Sequence, residues 1–96
     1  MDERLEQIEK RVRSLIAEIT QRPKNVDFQE IEWVINKLEQ LGYEVRRKRN
    51  GGHHMFYVGG ERFGVVTHNP GEKQIKRCYV EEFLKAMDNL NLMDEE

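Results

Sequence analysis

Over residues 2–21 the large apolar residues are Leu5, Ile8, Val12, Leu15, Ile16 and Ile19. Steps of three and four put them on one stripe, so the spacing predicts an amphipathic helix over 2–21 with charges on its other faces. Pro23 closes it by disfavouring helical geometry at Arg22. The stripe is narrow enough for a coiled-coil seam but spans too few heptads to argue for one. Packing within the domain is the expectation, and homodimerisation through this helix is the alternative. A second helix begins after Asp27, an N-cap residue with Glu30 three positions on to complete a capping box and Val26 and Ile31 placed as a hydrophobic staple. Its buried face is Ile31, Val34, Ile35, Leu38 and Leu41, flanked by Trp33, and Gly42 stands where a left-handed residue ends a helix.

The period then changes from helical to two. Tyr43 and Val45 alternate with Glu44 and Arg46, which predicts a half-buried strand over 43–48. Asn50-Gly51 marks a tight hairpin, His54–Val58 a second strand, Gly59-Gly60 another two-residue turn, and Glu61–Thr67 a third strand. In the second strand His53, Met55 and Tyr57 share one face and His54, Phe56 and Val58 the other. The second set is more apolar, so it is assigned to the helix side; His53, Met55 and Tyr57 are expected exposed, and His54 is expected to be a buried or edge histidine with its hydrogen bonds satisfied. Residues 68–72 read as a loop, and Val80, Phe83, Leu84 and Met87 as the apolar face of a last helix from about Tyr79 to Leu90. The predicted order is α-α-β-β-β-α: a small α+β domain with a three-stranded antiparallel sheet and helices on one face.

A chain of 96 residues, 38% hydrophobic and 35% charged, is expected to make a single domain over 1–96 with a modest core. It divides into an amino-terminal helical extension (1–22), a core (23–90) and an acidic tail (91–96). One cysteine, Cys78, cannot form an internal disulfide, and no apolar run has the length of a membrane span, which points to a cytoplasmic protein with no membrane partner. The net charge of −2 conceals an asymmetry: residues 43–77 carry eight Lys/Arg against three Asp/Glu, whereas residues 78–96 carry one against six. A basic middle suits a polyanion, although the same cations also serve to blunt sheet edges.

The candidate chemistry lies in Arg46-Arg47-Lys48-Arg49-Asn50-Gly51-Gly52-His53. Four successive cations suit phosphate, and Gly51 and Gly52 allow a tight turn and close approach of a ligand. His53 has an imidazole able to act as acid or base near neutral pH. Tyr57 is placed to stack on a base, and Lys73, Lys76 and Arg77 near the start of the last helix to touch phosphate. His53, His54, His68 and Cys78 supply no closely spaced ligand pair on one face, so neither a metal nor a cofactor is expected.

Lys24-Asn25-Val26 with Phe28, Leu41-Gly42-Tyr43, Gly51-Gly52-His53-His54 and Tyr79-Val80-Glu81-Glu82-Phe83-Leu84 together resemble the HicA-like toxins of HicA/HicB toxin-antitoxin pairs. The similarity covers roughly residues 23–90, and the first helix is similar to an extension carried by one branch of the family. The resemblance implies a double-stranded-RNA-binding-domain-like (dsRBD-like) fold and endonuclease (mRNA interferase) activity. It also implies a catalytic histidine after the turn, here His53, and neutralisation by a HicB-like antitoxin. The family usually has Gly-Ser-His where this chain has Gly51-Gly52-His53, so the serine hydroxyl is absent. That departure keeps open a non-catalytic RNA-binding or protein-interaction module of the same fold.

Overall fold

The computed structural model describes residues 3–67 and 74–93. The predicted order is observed: α1 (Glu3–Gln21), α2 (Phe28–Gln40), β1 (Val45–Asn50), β2 (His53–Val58), β3 (Glu61–Val66) and α3 (Arg77–Asn89). The strands form one antiparallel sheet in the order β1-β2-β3. The fold is therefore α+β, with one continuous core between the sheet and the helices.

Periodicity explains what each helix contributes to that core. Val12, Ile16 and Ile19 of α1 are fully buried, and Ile8 and Leu15 pack against them from the edge of the stripe. The α1 stripe is thus largely used inside the domain. From α2 come Ile31, Val34, Ile35 and Leu38, and from α3 Val80, Phe83, Ala86 and Met87. The sheet adds Phe56, Val58, Phe63 and Val65. Phe28, Phe56, Phe63 and Phe83 form a run of neighbouring rings with centroids 5.4–6.2 Å apart, tying the start of α2 through the sheet to α3. Among the described residues no helix is long and apolar enough to cross a membrane.

The α1–α2 turn is held by charge. Arg22 donates from both terminal nitrogens to the Glu30 carboxylate at 3.0 and 2.8 Å and from Nη1 to the Asn25 carbonyl at 2.6 Å. Glu30 in turn accepts from the Asp27 backbone N–H at 3.2 Å, the side chain's half of a capping box at the head of α2. The Arg22 hydrogen bond holds the Glu30 carboxyl below its ordinary range, against the opposing effect of partial burial. Ahead of α3, Ile75 N–H donates to Val26 O at 3.0 Å and Gln74 Nε2 to Asn25 Oδ1 at 2.6 Å, so the segments leading into α2 and α3 run side by side.

Several boundaries differ from the sequence expectation, among them the start of the second strand at His53 instead of His54 and the end of the third at Val66 instead of Thr67. The first strand starts at Val45 and runs to Asn50, not 43–48. Gly42, at φ +102°, and Tyr43 belong to the C-terminal turn of α2: Gly42 N–H donates to Glu39 O and Tyr43 N–H to Leu38 O, the paired bonds of a Schellman motif. Tyr43 is thereby committed to ending the helix. The last helix starts at Arg77, two residues before the expected Tyr79, with Lys76 as its extended N-cap residue.

Candidate nucleic-acid interface

The hairpin register decides which side chains meet. Asn50 pairs with His53 across Gly51-Gly52, Arg46 with Tyr57, and Val45 with Val58; on the other side Tyr57 pairs with Arg62, Met55 with Gly64 and His53 with Val66. Gly51 at φ +63° with Gly52 outside the positive region fits a type II′ turn, whereas Gly59 (+56°) and Gly60 (+90°) fit type I′. Paired residues share a face. The face turned away from the helices therefore presents three rows: Arg46, Tyr57 and Arg62; Lys48, Met55 and Gly64; and Asn50, His53 and Val66.

The four consecutive cations do not act as one patch. Alternation sends Arg46 and Lys48 to the open face and Arg47 and Arg49 to the helix side. Arg47 is engaged there, donating from Nη2 to Asn36 Oδ1 at 2.6 Å and to Glu39 Oε1 at 3.3 Å, which fastens β1 to α2. Arg49 donates from Nε to the Gly51 carbonyl at 3.1 Å and braces the turn. Arg46, Lys48 and Arg62 have no acidic partner among the described residues. Lys48 Nζ instead lies 5.8 Å from the centre of the Tyr57 ring.

The two histidines separate as the alternation predicts, but their surroundings differ from the expectation in one respect. His53 is exposed on the open face. His54 is half-buried, its ring centroid 4.5 Å from that of Phe28 and stacked nearly parallel to Phe56 at 6.4 Å. No side-chain hydrogen bond to His54 occurs among the described residues, so it is held by ring packing and is not the hydrogen-bonded histidine expected. Burial lowers its pKa, reinforced by the nearby Arg49 and His53 charges and opposed by Glu32. Among the described residues the exposed imidazole at this end of the sheet is that of His53, on the face of Arg46 and Lys48.

Met55 and Tyr57, expected exposed, are half-buried. Lys48 covers part of Tyr57, and Met55 lies across Gly64, its Sδ 2.9 Å from where a Cβ on that glycine would stand. Gly52 serves a different purpose. A Cβ there would collide with the Thr67 carbonyl oxygen, because Thr67 N–H closes onto the Gly52 carbonyl at 2.8 Å. No side chain at position 52 fits in this geometry, because the backbone of residue 67 occupies the space of its Cβ.

No family model, curated protein or solved structure matches the chain.

The remaining candidates fall elsewhere. Lys76 and Arg77 sit at the head of α3 beside the segment that leads into α2, and Arg77 Nε is paired with Glu81 at 2.8 Å. Lys73 and His68 lie outside the described residues. Among the described residues no group of three or more His, Cys, Asp or Glu side chains is arranged to hold a metal ion. Arg62 is the residue that sequence reading missed. Its signal was the period-two alternation of β3, but only the cross-strand register shows that it stands beside Tyr57.

Proposed function

We propose that the chain is a cytoplasmic, HicA-like RNA-binding toxin that cleaves mRNA without a metal, using the open face of the sheet, and is neutralised by a HicB-like antitoxin. The supporting observation is the placement of exposed His53 on the same face as Arg46, Lys48 and Tyr57, with those cations free of acidic partners among the described residues. The α2-β1-β2-β3-α3 order is also that of the dsRBD-like fold the resemblance implies.

In the proposed reaction neutral His53 takes the proton of a ribose 2′-hydroxyl as its oxygen attacks the adjacent phosphorus. The bond from phosphorus to the 5′-oxygen breaks, leaving a 2′,3′-cyclic phosphate, and the departing oxygen takes a proton from water. Lys48, one row from His53 on the open face, stabilises charge on the phosphoryl oxygens, and Arg46, two rows away, contacts the RNA farther along the strand. Arg47 and Arg49 act indirectly, by fixing β1 and the turn.

The test is cleavage of RNA by rigorously purified protein in the presence of a chelator. Wild type is expected to yield cyclic-phosphate ends, and His53→Ala to lose about 10²–10⁴ in rate with an unchanged thermal midpoint. Cleavage that survives His53→Ala sinks the mechanism. Absence of cleavage by wild type leaves the second reading, a binding module without chemistry. That reading is favoured by Gly52, whose surroundings exclude the hydroxyl usual in the family.

A further inference from the structure

We infer that the open face is a stacking platform for unpaired RNA, with Tyr57 as the base contact and Arg46 and Arg62 as phosphate contacts on either side. The inference rests on the RNA-binding reading above and adds to it the strandedness of the ligand and a residue, Arg62, from the third strand.

The argument begins with the register. Arg46, Tyr57 and Arg62 occupy one cross-strand row, so the two guanidinium-bearing residues flank the ring at one strand spacing each, about 4.8 Å. Both arginines are exposed, and Lys48 adds a third cation from the neighbouring row. In the neighbouring row the end of the Met55 side chain lies against Gly64 and adds apolar surface between the ring and His53. Next to β3 a groove of about 280 Å³ joins the two sides of the sheet, lined by Met55, Arg62 and Gly64 of the open face and by Phe63, Tyr79 and Glu82 of the helix side. An aromatic ring among cations on an open sheet face recognises nucleic acid by stacking, and stacking requires a base whose faces are not already covered by its neighbours in a duplex. Duplex RNA is read instead by shape and by contacts to its backbone and 2′-hydroxyls, for which a central aromatic residue has no use. The lysine over the ring is no obstacle, since an exposed cation–π contact is weak and a four-carbon stem swings aside easily.

The row also fixes the relation to the proposed chemistry. His53 lies four residues along β2 from Tyr57, about 13 Å. The stacked base and the phosphate at His53 therefore belong to different parts of one strand, and productive binding needs an oligonucleotide.

Binding is measured by fluorescence anisotropy with the His53→Ala protein, which removes the proposed cleavage. The probes are a labelled ten-nucleotide RNA, the same RNA annealed to its complement, and heparin as a polyanion without bases. The unpaired RNA is expected to bind at least tenfold tighter than the duplex. Tyr57→Leu should weaken the unpaired RNA by about 5- to 150-fold, the range of one lost base stack, and leave heparin binding unchanged. R62Q, at an exposed position that does not support the core, should lower the magnitude of the log–log salt slope by about 0.7, the value for one phosphate contact on a single strand. Equal affinity for duplex and unpaired RNA overturns the inference. So does a Tyr57→Leu loss that is the same on heparin, or an R62Q slope equal to that of the parent protein. The outcomes are separable from those of the nuclease test: wild type that binds in this pattern without cutting removes the enzyme and keeps the platform. Wild type that cuts, with binding indifferent to Tyr57 and Arg62, removes the platform alone.

Discussion

His53 and His54 are one bond apart in the chain and on opposite faces of the sheet. The first stands in solvent on the same face as Arg46, Lys48, Tyr57 and Arg62; the second is packed against Phe28 and Phe56, and burial pushes its pKa down. The same division runs through the cations, since Arg47 and Arg49 are engaged in holding β1 and its turn while Arg46 and Lys48 remain available. A side chain's chemistry here follows from the face on which it lies more than from its neighbours in sequence. Four adjacent positive charges read as one motif become two structural braces and two candidate ligand contacts.

The strongest way to break that comparison is to truncate adjacent aromatic residues. Phe56→Ala should cost about 3–5 kcal/mol, because Phe56 fills the core between Phe28 and Phe63. Tyr57→Ala should cost about 1 kcal/mol or less, as the lost contacts are half-exposed. Chemical denaturation measures both, and equal costs would mean that the open face is not open.

A glycine on each side sharpens it further. Gly52→Ala should destabilise by about 1–3 kcal/mol, since the added methyl group meets the rigid Thr67 carbonyl. Gly64→Ala meets only the mobile end of Met55 and should change stability by less than about 1 kcal/mol. If Gly52→Ala were neutral, the hairpin would have room for a side chain at this position.

For His54 the expected effects are smaller. His54→Ala should lose about 1–2 kcal/mol of ring packing, whereas His54→Phe, which keeps the ring and removes an unpartnered polar group, should be no less stable than wild type. A loss in His54→Phe comparable to that in His54→Ala would reveal a hydrogen bond worth more than the packing.

The last test is pH. The His54 pKa is lowered on folding from 6.5, so the folded state binds fewer protons than the unfolded chain. Its contribution to stability is complete above 6.5 and is lost as pH falls through the lowered value. Glu30, lowered from 4.5, acts in the same direction at more acid pH. Stability measured against pH should therefore fall in two separate windows. His54→Phe should remove only the upper one, and an unchanged upper window in that variant would assign it to another group.

Much of this architecture was legible locally. The α1 and α2 stripes, the Asp27–Glu30 cap, the Gly42 terminus and the assignment of His53 and His54 to opposite faces all follow from periods of 3.6 and 2 and from residues that satisfy their own neighbours' backbone groups. The strand boundary at Val45 was misread because Tyr43 looks the same in an alternating pattern whether it begins a strand or closes a helix, and the hydrogen bond to Leu38 decides between them.

What only the tertiary structure decided are the relations between elements. Register pairs Arg62 with Tyr57, packing sets Phe28 against His54, the close of the sheet brings the Thr67 carbonyl over Gly52, and Arg47 finds Asn36 and Glu39 on α2. The physical reason is common to all four. A period constrains the direction of a side chain relative to its own backbone, whereas the partner it meets depends on how strands align and layers stack, and a shift of one residue in that alignment would exchange every pair.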